Sequence, residues 1–397
     1  MKLSNDKIIN LKGIKTPNYV IHKDLLEKNL LLLDYIQKES SVKFLLALKS
    51  YSFIPSFSLM NNYLIGICAS GLHEAKLGRD FFCKDNQIVE TYSPAYKEEE
   101  IEEITQVSDM VIFNSLKQLK KYQNIVLKNK KRIGIRINPL TNKYAPNELF
   151  NPVSETSRFG IRIDNKSDIL EIEKLIKEKI ITYIHSHVLC ESDFIGLEEQ
   201  VTTLSKKIPQ LLKNVQTVNI GGGVLYTHKN FEINKCIKLF NDFTKKYNIE
   251  LIAEPGESCT YNSGTMVSRI EEILHIKELS IAIIDLSTQC HNIDVMQLSD
   301  YYVKIEGARL EKSKRYKYKY LISSITCLSG DNWGYYYFEK ELIEGDKIIM
   351  LDTSYYTKVQ WTQFNGIKLP ISTYMSKEGN ILYEKEKGYK EFIEYSK

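Results

Sequence analysis

No apolar run in the chain approaches the ~18–20 residues that a membrane-spanning helix needs. Its start, MKLSNDKIINLKGIKTP, has no apolar core followed by a small-residue cleavage site. The expectation is a soluble, cytoplasmic protein with no membrane partner. The seven cysteines, at 68, 83, 190, 236, 259, 290 and 327, form no C-x-x-C pair, and their odd number argues against a disulfide framework. Charge of one sign is lacking as well. The 54 basic and 50 acidic residues are interspersed and leave a formal charge of +4, so there is no nucleic-acid footprint. What remains, 397 residues that are 43% hydrophobic and 26% charged, is an ordinary globular composition with room for two domains.

Between residues 24 and 255 short apolar runs alternate with amphipathic stretches, the pattern of repeated βα units around a parallel sheet. The spacing predicts eight strands, at 43–47, 64–69, 88–92, 110–113, 133–137, 181–188, 215–220 and 249–254. Helical spacing follows them, as at 97–107, 115–129 and 192–212. The expected fold is therefore α/β, a (β/α)8 barrel over 24–275. Beyond 275 the texture becomes alternating, tyrosine-rich and β-branched, with turn signals SGD (329–331), EGD (344–346) and FNG (364–366). This predicts a C-terminal all-β domain over 276–397. Residues 1–23, with the strand-like TPNYVIH at 16–22, are assigned to it too. In EKSKRYKYKY (311–320) alternating lysines and tyrosines suit a half-exposed strand with packed rings and wet lysines. A patch for an acidic partner is the alternative.

Barrel enzymes place reactive groups at the C-terminal ends of their strands. The circle read this way holds Lys49, Cys68-Ala69-Ser70, Ser93, Asn114, Arg136-Ile137-Asn138, His185 with His187, Gly221-Gly222-Gly223, and Glu254-Pro255-Gly256. Taken singly, a lysine after a strand is ordinary surface charge, three glycines are a tight turn, and EPGE is a strand cap. Together they specify a cofactor with an aldehyde, a phosphate and a pyridine ring. A Schiff-base lysine needs a rigid strand end and partial desolvation, which LLALKS supplies. Glycines let backbone N–H groups converge on a phosphate. A carboxylate such as Glu254 against the pyridine nitrogen keeps it protonated and favours decarboxylation. His185 and His187, two apart on a strand, would face one side; with no third ligand apparent, an imidazole lying on the cofactor ring is preferred to a metal site, and no metal is expected.

From TPNYV at 16 to FNGI at 364 the chain resembles the fold-type III pyridoxal-phosphate decarboxylases, alanine-racemase-like barrels with a β-domain, and within them the carboxynorspermidine/carboxyspermidine branch. The pieces that carry the resemblance are LLALKS, CASGLHEAKLGR, TYSPAYKEEE, VIFNSL, RINP, NPVSETSRFGI, HSHVLCE, NIGGG and AEPGES. It implies pyridoxal 5′-phosphate as cofactor, joined to Lys49, with His187 on the ring face. Arg136 and Glu254 would lie around the ring nitrogen and phenolate side, Gly221, Gly222 and Gly223 at the phosphate, and Tyr356 as a further phosphate contact. CLSGD resembles the segment a partner subunit inserts, making Cys327 the proton donor, Asp331 the holder of the substrate's distal amine, and the protein a homodimer with shared active sites. Without the resemblance Cys327 reads as a small buried hydrophobe.

Ornithine-decarboxylase-like members usually read EPGR where this chain reads EPGE, so Glu257, with Asp331 and Asp294, is expected to receive a small-molecule substrate with a cationic tail; the alternative for Glu257 is a solvated loop carboxylate. IDLSTQCHNIDV keeps the family's His291 and Asp294, a substrate-side pair, but replaces Met-Pro by Asn292-Ile293. SSIT stands where a Gly-Pro approach is usual, and NWGYYYF follows Asp331 in place of a short acidic loop. The expected reaction is decarboxylation of a 3-amino-3-carboxypropyl amine such as carboxyspermidine, giving spermidine and CO2. The alternative is the same group carried on a nucleotide or peptide natural product, as in microcin-C-like maturation. A non-catalytic carrier of the cofactor is disfavoured by the long β-domain.

Overall fold

The computed structural model describes residues 11–140 and 150–397; residues 1–10, the start of the segment assigned above to the β-domain, lie outside the described residues. The chain divides into two compact units. Of the described residues, one unit holds those within 28–49 and 57–259, and the other holds 11–27, 50–56 and 260–397.

Strand β1 (Asn18–His22) belongs to the second unit. The first is built on β2 (Val42–Ala47), β3 (Gly66–Ala69), β4 (Ile88–Tyr92), β5 (Met110–Phe113), β6 (Arg132–Asn138), β7 (Ile161–Arg162), β8 (Tyr183–His185), β9 (Thr217–Asn219) and β10 (Glu250–Ala253). All pairings are parallel, and the order β2-β3-β4-β5-β6-β8-β9-β10 closes where β10 pairs with β2. All eight expected strands are present. The two-residue β7, which pairs with the end of β6, is too short to have left a period-2 signal. Parallel strands covered by helices are buried on both faces, hence their near-continuous apolar runs. Inside the barrel Leu45, Met110, Ile112, Tyr183 and Ile252 pack together with Cys68, Ile88 and Tyr92.

Two expectations shift. The helix predicted over 192–212 is two helices, Phe194–Lys207 and Pro209–Leu212, because Pro209 cannot donate into a continuing helix and instead starts the next one. The strand predicted over 181–188 ends at His185. Ser186 still donates to Asn219 O at 2.8 Å, but His187 lies beyond the ladder, so strand alternation does not set its direction.

The second unit adds β11 (Gly264–Ile276), β12 (Leu279–Ile284), β13 (Lys304–Ile305), β14 (Ala308–Arg309), β15 (Tyr318–Ser324), β16 (Asn332–Phe338), β17 (Lys347–Leu351), β18 (Ile371–Met375) and β19 (Ile381–Lys385). With β1 they form a sheet of order β14-β16-β15-β12-β11-β1-β18-β19, with β17 on β11 and β13. The 13-residue β11 pairs with β1 and β17 over its first half and with β12 over its second, across a bulge at Ile270/Glu272. A boundary at 275 would cut off this strand. The observed division falls before Thr260, because the partners of β11 come from residues 18–21, 279–284 and 347–351, which no local pattern reveals. Residues 50–56 group with this unit as well: the Phe53 ring meets Tyr19 edge-on at 6.2 Å. The turn signals fall where expected, with positive φ at Gly345 (88°), Asn365 (59°) and Gly366 (69°). In the Lys/Tyr stretch Tyr320 is buried and Lys319 is exposed, its Nζ 4.5 Å from the centre of the Tyr335 ring.

Candidate active site

The barrel interior carries a polar layer beside its apolar one. Glu90 sits in mid-β4, Tyr183 and His185 on β8, Asn219 at the end of β9, and Glu254 directly after β10, all buried. Glu254 Oε1 accepts from Asn219 Nδ2 at 2.6 Å and pairs with His185 Nε2 at 2.9 Å. Asn219 Nδ2 also reaches both oxygens of Glu90, at 2.9 and 3.0 Å, and the Tyr183 hydroxyl donates to Glu90. Burial pushes the Glu90 carboxyl well above its ordinary range, and the Glu254 charge pushes the same way. Burial would raise Glu254 too, but the His185 ring bonded to it, the nearby His187 and the Glu90 carboxyl outweigh that and hold it low. Burial lowers His185, so its ring is neutral and Nε2–H is the donor.

Around this layer lie most of the residues singled out on the circle. Lys49 follows β2 and is exposed; its charge is felt by Cys68, Tyr92, His185 and His187. The Arg136 guanidinium lies over the rings of Tyr92 and Phe159, 4.6 Å from each centre, and donates to His187 O at 2.9 Å. His187 accepts from Gly222 N at 2.8 Å through Nδ1, and burial, then the charges of Lys49 and Arg136, depress its pKa, so it too is neutral. It is His185, not His187, that stacks on an aromatic ring of the chain: it lies 5.4 Å from Tyr92 at 16°. Asn114 accepts from the Tyr92 hydroxyl and from Gly160 N, tying the 158–160 loop to the strand ends.

The three glycines answer first to the turn itself. Gly221 and Gly223 have φ of 73° and 85°, and a Cβ at Gly222 would meet Glu254 O at 2.5 Å. Gly221 N donates to Asn219 Oδ1 at 2.7 Å and Gly222 N to His187, so two of the three amides assigned to a phosphate are spent inside the protein. The Gly223 amide is in neither of these bonds. Glu257 is neither solvated nor unpaired: its Oε1 lies 3.0 Å from His228 Nε2 and its side chain is largely buried.

In the second unit Cys327 is the exposed one of the seven cysteines, all of them free thiols, and its N–H donates to Asn365 Oδ1 at 2.7 Å. Tyr356, at φ 45°, donates its N–H to Ser50 O at 2.9 Å. Asp294 is half-buried at the start of a short helix. His291 is buried, accepts from Ser287 N at 3.1 Å, and has its pKa lowered by burial to about 4, so it offers a substrate no charge near neutrality. Asp331 requires a correction. It is 2% exposed, and its oxygens accept from Ser287 Oγ, Thr288 N and Oγ1, Gln289 N and Thr326 Oγ1. Its lone pairs are fully used in tying the Cys327 turn to residues 287–289, which leaves none for a substrate amine.

A family model described as "Pyridoxal-dependent decarboxylase, pyridoxal binding domain" matches residues 47–261. The chain belongs to this family. Its cofactor is pyridoxal phosphate, and the residues fit it: an amine at a strand end, a buried carboxylate held ionised, and a positive-φ glycine turn tied to that carboxylate through Asn219. The decarboxylase is 36% identical to the carboxynorspermidine/carboxyspermidine decarboxylase of Campylobacter jejuni over 390 residues, 96% of this chain and 98% of that one. It is 29% identical to the carboxyaminopropylagmatine decarboxylase of Synechocystis over 385 residues, 96% and 95% of the two chains. A crystal structure of carboxynorspermidine decarboxylase from Campylobacter jejuni, complexed with norspermidine, superposes with a TM-score of 0.86 at 33% identity, covering 96% of this chain and 99% of that one. The (β/α)8 barrel with a separate β-domain is thus the fold. Among the described residues no helix is long and apolar enough to cross a membrane.

Three members of the polar layer were missed on the sequence circle. Glu90 had a signal, a carboxylate in the middle of an apolar strand of a parallel barrel. Asn219 stood in NIGGG, but nothing in the sequence aims its amide at two acids. Tyr183 had none, since a tyrosine in a strand is ordinary core.

Proposed function

We propose that this decarboxylase acts on carboxyspermidine or carboxynorspermidine, releasing CO2 to leave spermidine or norspermidine. The observation that carries the reading is the Glu254 carboxylate, buried and held by Asn219 and His185, in a pyridoxal-binding barrel. When bound, pyridoxal phosphate supplies the electron sink for the pair left behind by the departing CO2. Glu254 keeps the ring nitrogen protonated, so that the sink is strong. Lys49 provides the amine that holds the aldehyde. Arg136, His187 and the turn at Gly221, Gly222 and Gly223 fix the cofactor's orientation, with Tyr356 as a further phosphate contact. Cys327 returns the proton to the carbon that lost CO2, its thiol being the acid and its thiolate the product. Glu257 and Asp294 supply acidic groups for the cationic tail, with His291 holding the segment that carries Asp294.

A cytoplasmic homodimer, each subunit lending Cys327 to the other's barrel, completes the reading. The Campylobacter relative, matched over nearly the whole of both chains, supports this substrate class. The relatives named above are decarboxylases of carboxynorspermidine, carboxyspermidine and carboxyaminopropylagmatine, so the carrier-bound alternative is not supported. The Synechocystis relative makes carboxyaminopropylagmatine the competitor to exclude.

The test is CO2 release by purified, cofactor-loaded protein on the three substrates. The highest kcat/KM is expected with carboxyspermidine or carboxynorspermidine; turnover of carboxyaminopropylagmatine alone would overturn the assignment. Borohydride reduction followed by peptide mapping should place the cofactor on Lys49, and an unlabelled Lys49 would remove the cofactor site itself.

A further inference from the structure

Glu90 has no part in the reaction described above, yet it lies in the barrel interior against the group on which that reaction depends. Its strand neighbours in register, Cys68 on β3 and Met110 on β5, are uncharged. Facing it are Tyr183, Asn219 and Glu254, with His185 within 4.8 Å. Among these the His185 ring is neutral and donates to Glu254, so no cation compensates a second negative charge.

Three ligand-type groups, from Glu90, His185 and Glu254, lie within 4.8 Å of one another, the spacing of a metal site. The Asn219 amide and the Tyr183 hydroxyl, however, both turn hydrogens toward these carboxyl groups, where a cation would need lone pairs. The cluster is closed by protons instead. Glu90 and Glu254 lie within 4.8 Å of each other around the one Asn219 amide, and two buried carboxyl groups so placed, with no cation between them, are held together only if one is protonated. Glu254 is the better place for the charge, because it is the one bonded to His185 and within the electrostatic reach of Arg136.

We propose that Glu90 is a positioning residue for Glu254: as a neutral carboxylic acid it donates a hydrogen bond that fixes the Glu254 carboxylate toward the cofactor's ring nitrogen while adding no second charge. This deepens the cofactor site proposed above and rests on it. Glu90 needs a side chain that both accepts from Tyr183 and Asn219 and donates to Glu254, which an acid or an amide does and an apolar residue does not.

The test compares Glu90→Gln, which keeps donor, acceptor and neutrality, with Glu90→Leu, which keeps only bulk. The infrared carbonyl stretch of a protonated carboxyl group should be present in the wild-type apoprotein at neutral pH and lost in Glu90→Gln. Pyridoxal phosphate affinity, read by fluorescence titration, should stay within about threefold of wild type in Glu90→Gln and weaken by roughly tenfold or more in Glu90→Leu, the effect of one hydrogen bond to a charged group. The pH midpoint of the bound cofactor's visible absorbance should likewise move in Glu90→Leu and not in Glu90→Gln. If Glu90→Leu fails to fold, as judged by circular dichroism, the infrared band and the affinity of Glu90→Gln decide. Absence of the band, or a Glu90→Gln protein as impaired in cofactor binding as an apolar substitution would make it, overturns the inference. Wild-type protein that binds no pyridoxal phosphate overturns the cofactor site and the positioning role together, whereas a missing band leaves that site standing.

Discussion

Asn219 holds Glu254 with one end of its side chain and the glycine turn with the other: Nδ2 lies 2.6 Å from Glu254 Oε1, and Oδ1 accepts from Gly221 N at 2.7 Å. One amide thereby sets the distance between the carboxylate assigned to the ring nitrogen and the turn assigned to the phosphate. It also donates to Glu90. Asn219→Leu leaves two carboxyl groups and a buried N–H short of a partner and is expected to cost about 2–4 kcal/mol in urea unfolding. A loss under about 1 kcal/mol would mean that water or a neighbour replaces the amide without penalty.

Asp331 anchors the Cys327 turn through four residues. Asp331→Ala should therefore lower stability by about 3 kcal/mol, as unmade bonds to a buried carboxylate's donors do. A variant of unchanged stability whose KM alone rises would return Asp331 to the substrate.

Cys327 is exposed, whereas the other six thiols are buried or half-buried. Limited iodoacetamide treatment followed by peptide mapping should modify Cys327 first. Cys327→Ala should lower kcat by roughly a hundredfold or more, the usual weight of a positioned general acid, with cofactor binding unchanged. Full activity in that variant would assign the proton to another group.

Acid should weaken the second unit. Burial lowers His22 and His291 from the ordinary 6.5 to about 4. Between these values the unfolded chain binds protons that the folded one refuses, so stability falls as pH drops from 6.5 and levels off below about 4. Each group contributes up to roughly 3 kcal/mol. Urea midpoints measured across this window should decline less steeply for His22→Gln than for wild type. Parallel declines would show that His22 is protonated in the fold.

Several features were decided by the sequence alone. The eight barrel strands could be placed because each is a short apolar run set between amphipathic stretches, a consequence of burial on both faces that local composition records. Lys49, Arg136, Glu254 and the Gly221 turn could be named because strand ends in a closed barrel share one mouth, so eight local assignments define one circle. Tertiary structure decided what pairing and direction determine. Only the ladders show that β11 leaves the barrel for partners before and after it in the chain. Only the fold turns the Asn219 amide onto two acids, spends the Gly221 and Gly222 amides internally, and saturates Asp331. Hydrogen-bond partners of side chains are set by contacts across tens or hundreds of residues, and no period in the sequence encodes them.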